Sequence, residues 1–270
     1  MSRIEEALAK AANLNTNSGP GLERSGRHGR KVGRSPLVEP QITPVQQVPE
    51  PTLVTINAPL SPMAEEYRKL KEALVKMTKR ERFDNLIAVT SATVGEGKSM
   101  TAINLAASLA QEYDHTVLLV DADLRRPVVH KYLGFEQGKG LSDCLIEGRD
   151  VSEVLVKTNI GKLVVLPAGT SVPNPAELFS SEAMRNLFME MKGRYSDRYI
   201  IVDTPPVLPF AESRSMAGIA DGVLLVVKEG QPSVEQVQEA IDALQNKVLG
   251  IVYNGAHMSK SSNGYYYYAK

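Results

Sequence analysis

Little in this sequence offers a disulfide, a metal cluster or a membrane span. Of 270 residues only Cys144 is a cysteine, so no internal disulfide can form, which fits a reducing compartment. The four histidines (His28, His115, His130 and His257) and Cys144 show no metal-ligand spacing and read as ordinary residues. An excess of one charge is also missing. The 31 basic and 31 acidic residues cancel, which removes any general argument for nucleic-acid binding. No apolar run approaches the ~20 residues that span a bilayer. The start, MSRIEEALAKA, lacks the apolar segment of a signal peptide. The expectation is a chain made and kept in the cytoplasm, with any membrane role supplied by a partner. What is present, 43% hydrophobic and 23% charged residues, is a globular composition with room for one large core and a tail.

Three segments differ in character. Residues 2–13 have Ile4, Leu8 and Ala11 or Ala12 at helical spacing. From about Asn15 to Pro59 the chain is rich in Gly, Pro, Ser and Gln, too polar to offset the entropy of ordering, and reads as a linker. Its first half carries Arg24, Arg27, Arg30, Lys31 and Arg34, a basic stretch read as solvated, with attraction to an anionic membrane face as the weaker alternative. A folded domain is expected over 61–257, and 258–270 is a tail containing Tyr265, Tyr266, Tyr267 and Tyr268.

The domain opens with a helix at SPMAEEYRKLKEALVKMTKRER. Ser61 is its cap, Pro62 suits its first turn, and Met63, Tyr67, Leu70, Leu74 and Met77 make one apolar stripe. Tyr67 on that stripe reads as core. Strands and helices then alternate. The strands are NLIAVTS, TVLLVD, KLVVLPAG, YIIVDTPP, DGVLLVVKEG and KVLGIVYN. The helices are KSMTAINLAASLAQEY, PAELFSSEAMRNLFMEMKGRY, read as one, and SVEQVQEAIDALQ, with Val234, Val237, Ile241 and Leu244 on one side. Residues 134–160 read as loop with short helices. Strands apolar on both faces imply an α/β fold, a mostly parallel central sheet with helices on both faces.

The strongest chemical signal is ATVGEGKS, residues 92–99, a phosphate-binding loop with alanine in place of the first glycine. It follows a strand and opens a helix, the context the motif requires. Gly95 and Gly97 let backbone N–H groups turn toward phosphate oxygens, Lys98 reaches the β and γ phosphates, and Ser99 ligates Mg²⁺. The whole stretch from Thr93 through Val94, Gly95, Glu96, Gly97, Lys98 and Ser99 to Met100 is therefore the expected cofactor-binding segment. Asp121 and Asp123 end one apolar strand and Asp203 another. Ligands of parallel sheets bind at the carboxyl ends of the strands, so these acids converge on the loop. One can hold Mg²⁺ and another accept a proton from the attacking group. The septum-site and plasmid-partition ATPases (the MinD/ParA group) share such a sheet but carry an extra lysine early in the loop. No lysine stands near Thr93 here.

In combination, VTSATVGEGKSMTAINLAASLA, VLLVDADLRRPVVHKYLG, GLSDCL, LPAGTSVPNPAELFSS and YIIVDTPPVL, followed by a tyrosine cluster, resemble the bacterial tyrosine kinases. The likeness is to the autokinases of exopolysaccharide loci, which regulate polymer chain length and export. The MSRIEEALAKA start resembles the exosortase-associated subgroup. The resemblance covers about 60–257 and the tail. It implies a P-loop NTPase fold of the MinD/ParA-like class, with Lys98 and Ser99 binding ATP·Mg²⁺. It also implies Asp121 as the base toward a tyrosine hydroxyl, with Asp123 and Asp203 supporting Mg²⁺. EEYRKLK resembles the family's ExxRxxR oligomer motif through Glu65 and Arg68. Lys71 replaces the last arginine and keeps the charge without the two-pronged donor. The partners implied are the cytoplasmic tail of a membrane chain-length regulator (a polysaccharide co-polymerase), further copies of the chain in an oligomer for which a ring is one arrangement, and a tyrosine phosphatase. The kinase would then sit at the inner membrane through that regulator.

The tyrosine run is the expected phosphoacceptor, with aromatic packing at an interface as the alternative. A tyrosine hydroxyl of pKa ~10 needs a base to react at neutral pH. Four phosphates would add about −6 to −8 charges, enough to push apart an assembly that feeds each tail into its neighbour. Phosphorylation in trans is therefore expected to dissolve the oligomer and cycle export. Asn254 ends the last strand and either touches the adenine or forms a turn. Arg125 and Arg126 either bind phosphates or form ion pairs at an oligomer face. The competing readings are a positioning or assembly ATPase of the same fold, with water as nucleophile, and a nucleotide-gated scaffold using the helix at 61–80.

Overall fold

Unbroken β-branched and aliphatic runs set the strands, and apolar residues recurring every three or four set the helices. In the computed structural model the described residues are 48–79, 83–112, 116–194 and 198–256, all within Leu37–Lys270. The helix expected at 2–13, the linker through residue 47 and the tyrosine run lie outside them.

One sheet contains β1 (Leu86–Ser91), β2 (Thr116–Asp121), β3 (Val156–Lys157), β4 (Leu163–Leu166), β5 (Arg198–Asp203), β6 (Gly222–Lys228) and β7 (Val248–Asn254). Their order is β3-β4-β2-β5-β1-β6-β7. Every neighbouring pair is parallel except β3 against β4. The helices among the described residues are α1 (Val54–Asn57), α2 (Pro62–Thr78), α3 (Lys98–Ala110), α4 (Val129–Leu133), α5 (Leu141–Glu147), α6 (Val151–Val154), α7 (Pro175–Ser180), α8 (Glu182–Arg194), α9 (Glu212–Ile219) and α10 (Val234–Ala243).

The two sheet faces bury separate cores. Ile87, Val89, Leu119, Ile201 and Leu224 pack with Ile103 and Leu109 of α3 and Leu74 of α2. Leu86, Ala88, Leu118, Val202 and Leu225 pack with Met184 and Phe188 of α8, Met216 of α9 and Ala240 of α10. The expected mostly parallel α/β sheet, covered on both sides, is what forms.

Five local expectations change. First, PAELFSSEAMRNLFMEMKGRY is two helices. Ser181 is extended, with ψ 151°, and its hydroxyl accepts the Met184 N–H at 3.1 Å, so it restarts the helix as a cap. Second, the linker ends before residue 60. Leu53 is fully buried, and the side chain of Asn104 on α3 accepts the Thr55 N–H (3.0 Å) and hydroxyl (2.9 Å) and donates to the Thr52 carbonyl (3.1 Å). A buried amide needs both kinds of partner, and residues 52–55 supply them. Third, Met63 is exposed, and the inward stripe of α2 centres on Ala64, Leu74 and Thr78, with Tyr67 half-buried near Thr101 and Asn104. Fourth, Val234 at the start of α10 is exposed, while Val237, Ala240, Ile241 and Leu244 face inward. Fifth, β7 is an edge strand whose Ile251 and Tyr253 are exposed, not a strand buried on both faces.

Candidate active site

Strands β2, β5 and β1 are neighbours at the centre of the sheet, and all three run the same way. Their carboxyl ends therefore bring three sequence-distant segments together. Asp121 pairs in register with Asp203, which sets these two acids side by side at the ends of β2 and β5. The phosphate loop leaves β1 beside them and runs into α3.

Gly95 and Gly97 take φ of +85° and +90°, left-handed conformations that side-chain-bearing residues avoid. Gly97 has a second reason to be glycine, since a Cβ there would lie 2.2 Å from Asn254 Nδ2. No side chain caps the start of α3. Its first amides and the positive end of its dipole are thus open to an anion.

Lys98 and the acids meet as expected. Lys98 Nζ donates to Asp123 Oδ2 at 2.7 Å and to Ser99 Oγ at 3.2 Å, and stands 3.6 Å from Asp203 Oδ1. Asp203 is fully buried, and neither of its carboxylate oxygens has a hydrogen-bond partner among the described residues. Asp121 is also buried but is better satisfied, accepting the Val129 N–H at 3.1 Å and the Asp123 N–H at 3.3 Å. Asp123 Oδ1 accepts the Arg126 N–H at 3.0 Å.

These surroundings set the proton affinities. Burial, then repulsion from Asp203 and Asp123, raises Asp121 well above the usual carboxylate range, against the N–H of Val129 and the charge of Lys98. Burial also raises Asp203, although Lys98 and Ser99 oppose it. Burial disfavours the charge on Lys98, but Asp203 and Asp123 outweigh it and hold the ammonium above its ordinary value. The site is a desolvated pool of negative charge around one cation. No group of three His, Cys, Asp or Glu side chains is arranged to hold a metal by itself among the described residues. Mg²⁺ does not require one, since it takes one or two protein ligands with phosphate and water oxygens.

Four of the candidate site residues are held by contacts within the chain. Asn254 ends β7 against the phosphate loop. Its amide donates to the Glu96 carbonyl at 2.8 Å and its oxygen accepts the Gly255 N–H at 2.9 Å, so it braces the phosphate loop. Glu96 turns its carboxylate into the protein, leaving only its backbone to face a phosphate. Lys71 is largely enclosed by its own chain. It pairs with Glu112 at 2.5 Å with its side chain 12% exposed, which leaves Glu65 and Arg68, themselves paired at 2.6 Å, on the surface. Arg125 and Arg126 are both exposed, and Arg125 donates to buried Glu212 at 2.7 Å and lies 4.6 Å over the Phe210 ring.

Of the remaining loop residues, Val94 is exposed and Met100 packs against the core beside Gly97. Gln231 was not anticipated. Its amide donates to the Val94 carbonyl at 2.5 Å and reaches Thr93 Oγ1 at 3.4 Å. Its place just after β6, on the same sheet edge as the phosphate loop, was the available signal. Cys144 is buried, and burial with nearby acids pushes its thiol up to about 11, in keeping with an ordinary residue.

Residues 84–250 match the protein family described as an AAA domain. The chain is 38% identical over 218 residues to the tyrosine-protein kinase YwqD of Bacillus subtilis, across 79% of this chain and 90% of that one. It is 32% identical over 206 residues to the tyrosine-protein kinase CpsD of Streptococcus agalactiae, across 75% and 88%. The kinase domain of the Escherichia coli tyrosine kinase ETK superposes with a TM-score of 0.71 at 29% identity, covering 77% of this chain and 82% of that one. The chain belongs to the bacterial tyrosine kinases. It is a protein-tyrosine kinase on a P-loop NTPase fold. The septum-site protein MinD of Pyrococcus horikoshii with Mg-ADP, at 20% identity and a TM-score of 0.51, shares that fold alone with this kinase. The positioning-ATPase reading is correspondingly not favoured. No helix among the kinase's described residues is long and apolar enough to cross a membrane.

Proposed function

We propose that the kinase transfers the terminal phosphoryl group of ATP to Tyr265, Tyr266, Tyr267 and Tyr268 of a neighbouring copy, and that this cycle regulates exopolysaccharide polymerisation and export. The observation that carries the reading is the set of Lys98, Ser99, Asp123 and Asp203 gathered at the loop's end. Asp203, buried beside Lys98 with neither oxygen hydrogen-bonded among the described residues, fits a site built to receive a cation, and the uncapped start of α3 fits a phosphate.

Ser99, Asp123 and Asp203 would hold Mg²⁺. Bound Mg·ATP supplies the phosphoryl group, with the metal drawing charge from its oxygens. Lys98 would leave its acids for the β and γ phosphates, and the loop amides would fix the chain of phosphates. Asp121 would take the tyrosine proton as the new O–P bond forms and the bond to ADP breaks. Low dielectric around these groups strengthens each electrostatic contact.

The acceptor run follows β7 by a glycine- and serine-containing segment, SKSSNG. We assign activation to the cytoplasmic tail of a membrane chain-length regulator, reversal to a tyrosine phosphatase, and location to the inner membrane through that regulator. Glu65 and Arg68 are the oligomer contacts proposed. Each phosphate adds about −1.5 to −2 charges, so a phosphorylated tail would be repelled by its neighbour's acidic site.

Transfer between copies is tested by mixing. A chain truncated after residue 257 keeps the site but has no acceptor, and a Lys98→Met chain keeps the acceptor but not the site. Phosphate on the Lys98→Met tail after addition of Mg·ATP and the regulator's tail is the expected result. Phosphate only when both features share one chain would contradict transfer in trans.

A further inference from the structure

A glutamate inside an anion-binding loop is an electrostatic puzzle. Glu96 lies between Gly95 and Gly97, in the segment that faces phosphates, where an exposed carboxylate would repel them. The structure resolves the conflict by burial. Glu96 is 0% exposed and its charge points away from the loop's mouth, although no Lys or Arg side chain pairs with it among the described residues.

Three donors satisfy it instead. Glu96 Oε1 accepts the Thr93 N–H at 2.5 Å and the Thr93 hydroxyl at 3.0 Å. Glu96 Oε2 accepts the Lys228 N–H, at the end of β6, at 3.1 Å. The Glu96 backbone is held as well, because Asn254 Nδ2 at the end of β7 donates to its carbonyl at 2.8 Å. One residue thus ties the loop's entry to two neighbouring strand ends.

We infer that Glu96 is a positioning residue: its carboxylate pre-forms the phosphate loop by clamping Thr93 to the end of β6, with Asn254 gripping the same residue from β7. Two left-handed glycines flank Glu96, and such a stretch has many alternative conformations when it is free. The clamp removes them before nucleotide arrives, so binding energy is not spent on ordering the loop. A side chain with an acceptor at each of its two ends fits, since the Thr93 and Lys228 N–H groups, one on each carboxylate oxygen, can only donate.

That requirement makes glutamine a sharp probe. Glu96→Gln keeps size and one acceptor but sets an NH₂ group against an N–H donor. The inference rests on the ATP reading above, and the experiment separates the two. Affinity for a fluorescent ATP analogue with Mg²⁺ is measured for the full chain, Glu96→Gln, Thr93→Val and Lys98→Met, alongside thermal midpoints. Amide hydrogen exchange at Thr93 and Lys228 is followed without nucleotide.

Glu96→Gln should bind the analogue about tenfold more weakly or worse, with a midpoint lowered by a few degrees. Its Thr93 and Lys228 amides should exchange faster. Thr93→Val, which loses one donor and keeps the N–H, should weaken binding by about two- to fivefold. Thr93→Val also carries the test if Glu96→Gln does not fold. Parent-like affinity and protection in the variants, with Lys98→Met impaired, would overturn the role of Glu96 while leaving the ATP site standing. Failure of the parent chain itself to bind the analogue would overturn both.

Discussion

Two buried aspartates in this kinase have opposite surroundings. Asp203, at the end of β5, has neither oxygen hydrogen-bonded among the described residues, with Lys98 Nζ 3.6 Å away, and burial raises its proton affinity. Asp143, near the start of α5, accepts from Lys139 Nζ (2.8 Å), the Gly140 N–H (2.8 Å), the Thr170 N–H (3.1 Å) and the Thr170 hydroxyl (2.7 Å). Burial pushes Asp143 up, but these donors outweigh it and hold its carboxyl well below the usual range. A carboxylate that the fold saturates holds structure together. One that the fold desolvates and leaves open is kept ready for a ligand. Glu96 is saturated like Asp143, but what its bonds hold is the phosphate loop itself.

Substitutions at each kind of acid should therefore separate activity from stability. The largest effect belongs to Lys98, the cation that the open acids share. Lys98→Met should lower the initial rate of tail phosphorylation by about 100- to 1,000-fold. A rate within tenfold of the parent would remove Lys98 from the chemistry.

Asp203→Asn comes next. It should lose about 100-fold in rate while its thermal midpoint stays level or rises by a few degrees, since a buried, poorly paired charge is removed. A large fall in midpoint would place Asp203 among the structural acids.

Asp143→Ala should behave oppositely. Loss of a carboxylate that takes four hydrogen bonds should cost about 2–4 kcal/mol in denaturant unfolding. The KM for ATP should change less than about twofold in the variant that stays folded. The pH dependence has a defined sign. The folded carboxyl of Asp143 titrates below its unfolded value, so its stabilisation is complete above about pH 5 and is lost as pH falls through about 4 and lower. Unfolding free energy of the parent should drop more steeply below about pH 4 than that of Asp143→Asn. Parallel curves would refute the assignment.

The smallest effect is expected at Lys71. Its partner Glu112 lies in the same chain, so Lys71→Ala should cost about 1 kcal/mol or less and leave the sedimentation of the protein unchanged. A dissociated oligomer would restore Lys71 to the subunit contact.

The sequence made some of this legible and hid the rest for a physical reason. The strands, the phosphate loop and the acids of DAD and VDTPP depend on local runs and on the rule that parallel strands present ligands at their carboxyl ends. Those signals survive without a structure. Asn254, Lys71, Arg125 and Glu96 were misread or left open because each is defined by a partner far along the chain. Asn254 meets Glu96, Lys71 meets Glu112, Arg125 meets Glu212, and Glu96 meets Lys228. No spacing rule encodes such pairs. The break at Ser181 was readable in principle, since a serine three residues before Met184 is a capping signal, but the apolar pattern runs through it.

The central claim is that this site phosphorylates the chain's own tyrosine run. Its most direct test is the mass of the C-terminal peptide after incubation with Mg·ATP and the regulator's cytoplasmic tail, for the parent, Lys98→Met and Asp203→Asn. The account predicts several phosphoryl groups on Tyr265–Tyr268 of the parent and, at the same early time point, almost none on either variant. An unmodified parent peptide despite measurable ATP turnover would contradict it, and would return the four tyrosines to the role of a packing surface.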